Sequence, residues 1–197
     1  MRTWKTAVAC AAALALLAAT SASAETKAAA PAAKPAAAPA APAAPAAPAK
    51  KVKPWEIGQP AIDFTIKNFE TKADFTLSTQ LKKQKLLFVW LSSSCSSCLA
   101  EITELKTAQT EGKLKDVGVY VVSIDFKEDN LQSYNEGFVH QDFTMLHDPK
   151  FASALKYGFR STPSTLLIDK EGNIAFKATG FEPGEVKNTI EAIAKAK

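Results

Sequence analysis

The sequence predicts an α/β fold in which a mixed central sheet is flanked by helices. Three observations predict it: two continuous apolar runs, a stretch of helical periodicity between them, and a pair of short apolar segments joined by a polar turn near each end of the folded part. The runs are Leu86 to Leu91 and Val117 to Ile124, and each suits a strand buried on both faces. Strand, helix and strand in that order read as a right-handed crossover with the two strands parallel.

The elements follow in order. Ile62, Phe64 and Ile66 alternate as a short strand, and Asp74 to Leu77 returns as its hairpin partner across the polar stretch Asn68 to Lys72. This hairpin precedes the first long run as an N-terminal extension. In Ser96 to Gln109, Cys98, Ile102 and Leu105 recur at helical spacing, with Glu101, Glu104 and Lys106 largely outside that stripe. After the second run, the polar segment from Asp125 to about Phe138 reads as an inserted helix. A short strand is expected over Phe143 to Leu146, and a helix over Pro149 to Tyr157 with Gly158 as its stop. Thr165 to Asp169 and Ile174 to Thr179 form a hairpin around Lys170 to Asn173, and Glu185 to Ala196 closes the chain as an amphipathic helix.

The first fifty or so of the 197 residues cannot belong to a packed core, so the count is one folded domain, residues 54–197. Met1 to Lys5 carries two positive charges and leads into Thr6 to Ala19, an apolar stretch short for a bilayer span. Small residues follow, ending at Ala24. That layout is a signal peptide over residues 1–24, with the cut before Glu25. Cys10 sits before most of the apolar run, which argues against lipidation there. Residues 25–53 are almost entirely Ala, Pro and Lys, with a proline every three or four positions from Pro31 to Pro48. Proline at that density forbids helix, so an extended tether is expected, at about 3.1 Å per residue where it adopts polyproline II.

Formal charge is +4 for the whole chain, but 17 basic and 19 acidic residues from Pro54 onward leave −2. The basic balance belongs to the leader and tether. Lysines of the folded part alternate with Asp and Glu, so no nucleic-acid footprint is present.

Cys95-Ser96-Ser97-Cys98 follows a predicted buried strand and opens a predicted helix. A lone C-x-x-C is also half a zinc site, but a structural site needs about four Cys or His ligands, and from residue 25 onward only His140 and His147 could complete one. Redox chemistry is the stronger reading in this context. Unpaired amide groups and the positive end of the helix dipole favour the Cys95 thiolate, lowering its pKa below the free value of about 8.5. Cys95 is the expected nucleophile. Cys98, one turn further in on the buried stripe, is the expected resolving thiol. His140, Met145 and His147 are single residues in expected loop or edge positions, better suited to surface or packing roles than to ligation.

Three segments resemble the TlpA/ResA group of extracytoplasmic thioredoxin-like proteins. They are Ile57 to Phe64, Phe88 to Glu101, and Tyr157 to Thr165 with the strand Leu167 to Asp169, and the similarity spans residues 55 to 195. The resemblance implies a thioredoxin-like fold and a thiol:disulfide oxidoreductase exchanging a Cys95–Cys98 disulfide with cysteine-containing partner proteins. It further implies a reductant of the cytochrome c maturation type, periplasmic or membrane-tethered if the leader is retained, supplied by a membrane-embedded dithiol donor. It implies a cis Thr162–Pro163 bond facing the cysteines, with Thr162 and Pro163 contacting substrate. Glu101 matches an acidic residue near the resolving cysteine that could accept its proton; the alternative is a solvent-facing glutamate in an early helical turn.

No cofactor and no metal are implied. The chain departs from the group at Ser94, where an aromatic usually precedes the first cysteine. It departs again in the Ser96-Ser97 dipeptide, which matches neither Gly-Pro nor Pro-His relatives and leaves the direction of electron flow open. Two other activities stay in view: a copper metallochaperone using Cys95, Cys98 and His147, and a peroxiredoxin-like thiol peroxidase.

Overall fold

The structure, a computed structural model, describes residues 53–197. The expected leader 1–24 and the linker 25–53, apart from Lys53, lie outside the described residues. The elements are β1 (Thr65–Asn68), β2 (Asp74–Thr76), β3 (Lys85–Leu91), α1 (Ser96–Thr110), β4 (Val117–Ser123) and α2 (Glu128–Tyr134). There follow β5 (Thr144–His147), α3 (Ala152–Lys156), β6 (Ser164–Ile168), β7 (Ile174–Thr179) and α4 (Val186–Lys195). They build one mixed sheet of seven strands in the order β2-β1-β5-β4-β3-β6-β7.

β3 divides the interior. It pairs parallel with β4 and antiparallel with β6, and its side chains alternate between two cores. Leu87, Val89 and Leu91 meet Cys98, Ile102 and Leu105 of α1, Leu131 and Tyr134 of α2, and Val186 and Ile193 of α4. Leu86, Phe88 and Trp90 meet Phe64, Phe75, Tyr157 and Phe159 on the opposite face. That second core is largely aromatic. Phe64 packs edge-on to Phe88 at 5.5 Å and to Tyr157 at 6.2 Å between ring centres. The polar ends of these rings are satisfied, since Trp90 Nε1 donates to Ser153 Oγ at 2.9 Å and the Tyr157 hydroxyl to the Ile62 carbonyl at 2.7 Å.

The N-terminal hairpin pairs Thr65 with Thr76 and Lys67 with Asp74, and β1 also lies antiparallel against β5. Asn68 forms the turn, its side-chain oxygen accepting from the amides of Glu70 and Thr71. The strand begins three residues later than the Ile62–Ile66 alternation suggests. Residues 58–61 run instead beside the start of β7 and the turn before it: Ala61 N–H donates to the Gly172 carbonyl and Ile174 N–H to the Gln59 carbonyl.

Two further expectations are corrected. The helix expected from Pro149 begins only at Ala152, because the Asp148 carboxylate accepts from the amides of Ala152 and Ser153 and Phe151 adopts a left-handed φ of 55°. Met145 and His147 are not at an edge, since the hairpin covers the outer side of β5 and makes it an interior strand. The inserted helix α2 is present and continues through a π-helical turn, Asn135–Val139. Among the described residues no helix is long and apolar enough to cross a membrane.

Phe64 is 4% exposed at the centre of the aromatic core, on the sheet face opposite α1. Phe64→Ala is therefore expected to cost about 3–5 kcal/mol in urea unfolding, while disulfide exchange by the folded fraction stays near parental. A loss below 1 kcal/mol, roughly that of a surface substitution, would show that this core does not hold the fold.

Candidate active site

β3 ends at Leu91, and the chain crosses Ser92, Ser93 and Ser94 to reach Cys95, the N-cap of α1. Cys95 and Cys98 are joined by a disulfide with their Cα atoms 5.2 Å apart. Cys98 is fully buried and Cys95 half-buried. The Cys98 amide donates to Cys95 Sγ at 3.2 Å, and the Ser97 hydroxyl lies 3.3 Å from the same sulfur. A helix starting here brings donors and the positive end of its dipole to one sulfur and packs the other into the core.

The serine run has a partner that sequence reasoning missed. Asp125, two residues beyond β4, accepts from Ser92 Oγ at 2.8 Å, from Ser93 N–H at 2.8 Å and from Ser123 Oγ at 2.7 Å. Because Ser92 spends its single hydroxyl proton on Asp125, Ser94, 3.1 Å away, must donate to Ser92. Burial alone would raise the Asp125 carboxyl, but the Ser123, Ser93 and Ser92 donors hold it below the ordinary value. The approach to Cys95 is thus clamped to the end of β4 by a carboxylate. The signal available in the sequence was a lone Asp ending an apolar run, opposite a serine triplet ending its neighbour.

Glu101 corrects the helical reading. It is 4% exposed, inside the stripe of Cys98, Ile102 and Leu105 rather than outside it. Position 101 lies three residues after Cys98 and four before Leu105, so geometry alone puts it on the buried face. Thr165 Oγ1 donates to Glu101 Oε1 at 2.5 Å, and Oε2 has no partner. Burial pushes this carboxyl up to about 7 against the Thr165 hydrogen bond, with the nearby charges of Glu185 and Glu104 adding to the rise.

The Thr162–Pro163 peptide bond is cis. Ser164 pairs with Trp90 across β3 and β6, so Pro163 is level with Leu91 at the same end of the sheet as Cys95. Pro163 is buried and Thr162 half-buried, and the Pro163 carbonyl accepts from Gly180 N–H at 2.8 Å. The two cysteines, Glu101 and the proline loop therefore gather at the C-terminal end of β3.

The histidines are engaged elsewhere. His147 Nε2 donates to the Asp125 carbonyl at 2.7 Å, and His140 Nδ1 pairs with Glu70. Among the described residues no group of three or more His, Cys, Asp or Glu is placed to hold a metal ion.

Residues 57–177 match the model of the AhpC/TSA family. A thiol:disulfide interchange protein DsbE of Pseudomonas aeruginosa is 31% identical over 129 residues, covering 63% of this chain and 67% of that protein. A DsbE of Allochromatium vinosum is 25% identical over 138 residues, covering 66% and 71%. A crystal structure from Chlorobium tepidum, assigned as a DsbE thiol:disulfide interchange protein, superposes with a TM-score of 0.63 at 24% identity. It covers 71% of this chain and 96% of that one, a likeness of fold. With the family match spanning more than half the chain and the cysteine pair opening α1, the chain belongs to the AhpC/TSA family and is a thiol:disulfide oxidoreductase of thioredoxin fold.

Proposed function

We propose that the protein is an exported reductant that exchanges its Cys95–Cys98 dithiol with disulfides of partner proteins, in the manner of cytochrome c maturation. The observation that carries this reading is the closed cysteine pair at the start of α1, one sulfur half-exposed among N–H and O–H donors and the other buried. The reducing direction follows the TlpA/ResA resemblance. So do the periplasmic location and the membrane-embedded dithiol donor, and the leader 1–24 supports export. His147 is occupied by the Asp125 carbonyl, which weakens the copper reading.

In the reduced protein the Cys95 thiolate attacks one sulfur of the partner disulfide, forming a mixed disulfide and releasing the other sulfur as a thiolate that takes a proton from water. Glu101 then removes the Cys98 proton. The Cys98 thiolate attacks Cys95 Sγ, the Cys95–Cys98 bond forms, and the second partner sulfur leaves as thiolate. Two electrons pass to the partner. Thr162 and Pro163 hold the extended partner chain beside Cys95, and Asp125 holds the loop that aims Cys95.

Titration against glutathione tests the direction of flow: a reductant remains oxidised in buffers where glutathione is largely reduced. An oxidising potential like that of a disulfide-forming catalyst would overturn it. Alkylation of the reduced protein near neutral pH should modify Cys95 first and leave Cys98 nearly silent, and the reverse order would reassign the nucleophile.

Glu101→Gln should slow release of the mixed disulfide and leave the first attack almost unchanged. Its oxidised form should also differ from the parent in how stability depends on pH. The parent carboxyl binds its proton up to about pH 7 when folded and near 4.5 when unfolded, so the stability it contributes is full below 4.5 and lost as pH rises to 7. At about 1.4 kcal/mol per pH unit the parent should lose about 3 kcal/mol across that window relative to the variant. Parallel stability curves would place Glu101 in contact with water.

Asp125→Ala leaves three donors without their acceptor. It should destabilise the oxidised protein by about 1–3 kcal/mol and slow the first attack by Cys95. Asp125→Asn, whose amide can reverse the Ser92 hydroxyl and keep the clamp, should recover most of the rate. Equal rates in parent and Asp125→Ala would remove the clamp from the mechanism.

A further inference from the structure

Against Glu101 lies a small cavity of about 70 Å³. Its walls are the end of β7 (Phe176, Ala178 and Thr179), the Gly180–Phe181 turn, and the first turn of α4 with Glu185 and Thr189. Neither cysteine nor Pro163 lines it. Glu101 does, and its Oε2 is the carboxyl oxygen left without a partner inside a residue 96% buried. An orphaned carboxyl oxygen costs free energy unless something polar meets it. The cavity exceeds the roughly 10–15 Å³ that one water needs, and Thr179, Asn188, Thr189 and Glu185 supply polar groups along it.

The chemistry gives such a passage a task. While the mixed disulfide stands, the partner chain covers Cys95 and the Pro163 loop, so solvent cannot reach Glu101 from the front. Yet a carboxyl that keeps its proton up to about pH 7 must shed it, with that front covered, before it can take the proton of Cys98. Resting on the reading of Glu101 as proton acceptor, we propose that this cavity is its proton port: a short file of water that carries the proton from Glu101 to Glu185 at the mouth, and from there to solvent.

Glu185 is exposed at the start of α4, where its Oε2 also accepts from Glu182 N–H at 2.8 Å. Other groups face Glu101 from each packed element. Glu104 comes from α1 and is bound to Gly184 N–H, Tyr134 comes from α2, Thr165 from β6, and Cys98 lies one turn before it. Of the carboxylates among them, only Glu185 lines the cavity.

The test uses the whole folded domain with its linker and follows reduction of insulin disulfides, separating formation from resolution of the mixed disulfide. Glu185→Gln and the cavity-filling Ala178→Leu should both leave formation near parental. Both should slow repeated resolution several-fold and enlarge its solvent deuterium isotope effect. Glu182→Gln, in the same turn but outside the cavity, should match the parent. Parental resolution and isotope effect in both Glu185→Gln and Ala178→Leu, beside a slow Glu101→Gln, overturn the port alone. A Glu101→Gln protein that itself resolves at the parental rate overturns the acceptor reading beneath it. Should Ala178→Leu not fold, Glu185→Gln decides by the same two readouts.

Discussion

The structure depends on β3 being buried on both faces. A strand with Leu87, Val89 and Leu91 in one core and Leu86, Phe88 and Trp90 in the other cannot slip by one residue without exchanging its whole content between an aliphatic and an aromatic interior. Register here is a chemical position. Leu91 always ends at the same height, three serines always follow, and Cys95 always emerges where α1 can begin. β4 on one side and β6 on the other inherit that register through their pairing, which is how Asp125 and Pro163, distant in sequence, reach the same end.

Order at that end is built mainly from hydrogen bonds to two carboxyl groups of opposite character. Asp125 is surrounded by donors and stays charged, so it ties the Ser92–Ser93 backbone to β4. Glu101 has a single hydroxyl donor and deep burial, so its proton is held to near neutrality. The same functional group thus serves as a fixed anchor in one place and an exchangeable proton site in the other. Depth of burial, set against the number of donors around each, decides which.

Much of this was legible because it is local. The runs Leu86–Leu91 and Val117–Ile124, the cysteine pair between them and the two hairpins are patterns within a dozen residues, and the sheet follows from them. Charge, read alone, puts Glu101 with solvent, whereas its spacing to Cys98 and Leu105 puts it inside the helix stripe. Asp125 gives only a faint signal because one of its partners lies 32 positions away, in a backbone amide that any non-proline residue at Ser93 would supply. The short α3 and the interior place of β5 were hidden for a similar reason. Each depends on what packs beside it, the Asp148 cap in one case and the N-terminal hairpin in the other.

The hairpin also changes what the sheet offers to other molecules. By lying against β5 it moves the outer edge to β2, a strand of only three residues whose Asp74 is paired with Lys67. At the other margin residues 58–61 bond to the start of β7. A long, bare edge is a template on which chains of the same kind stack into aggregates. Here one margin is shortened and charged and the other partly sheathed, so little bare edge is left on which a second copy could template.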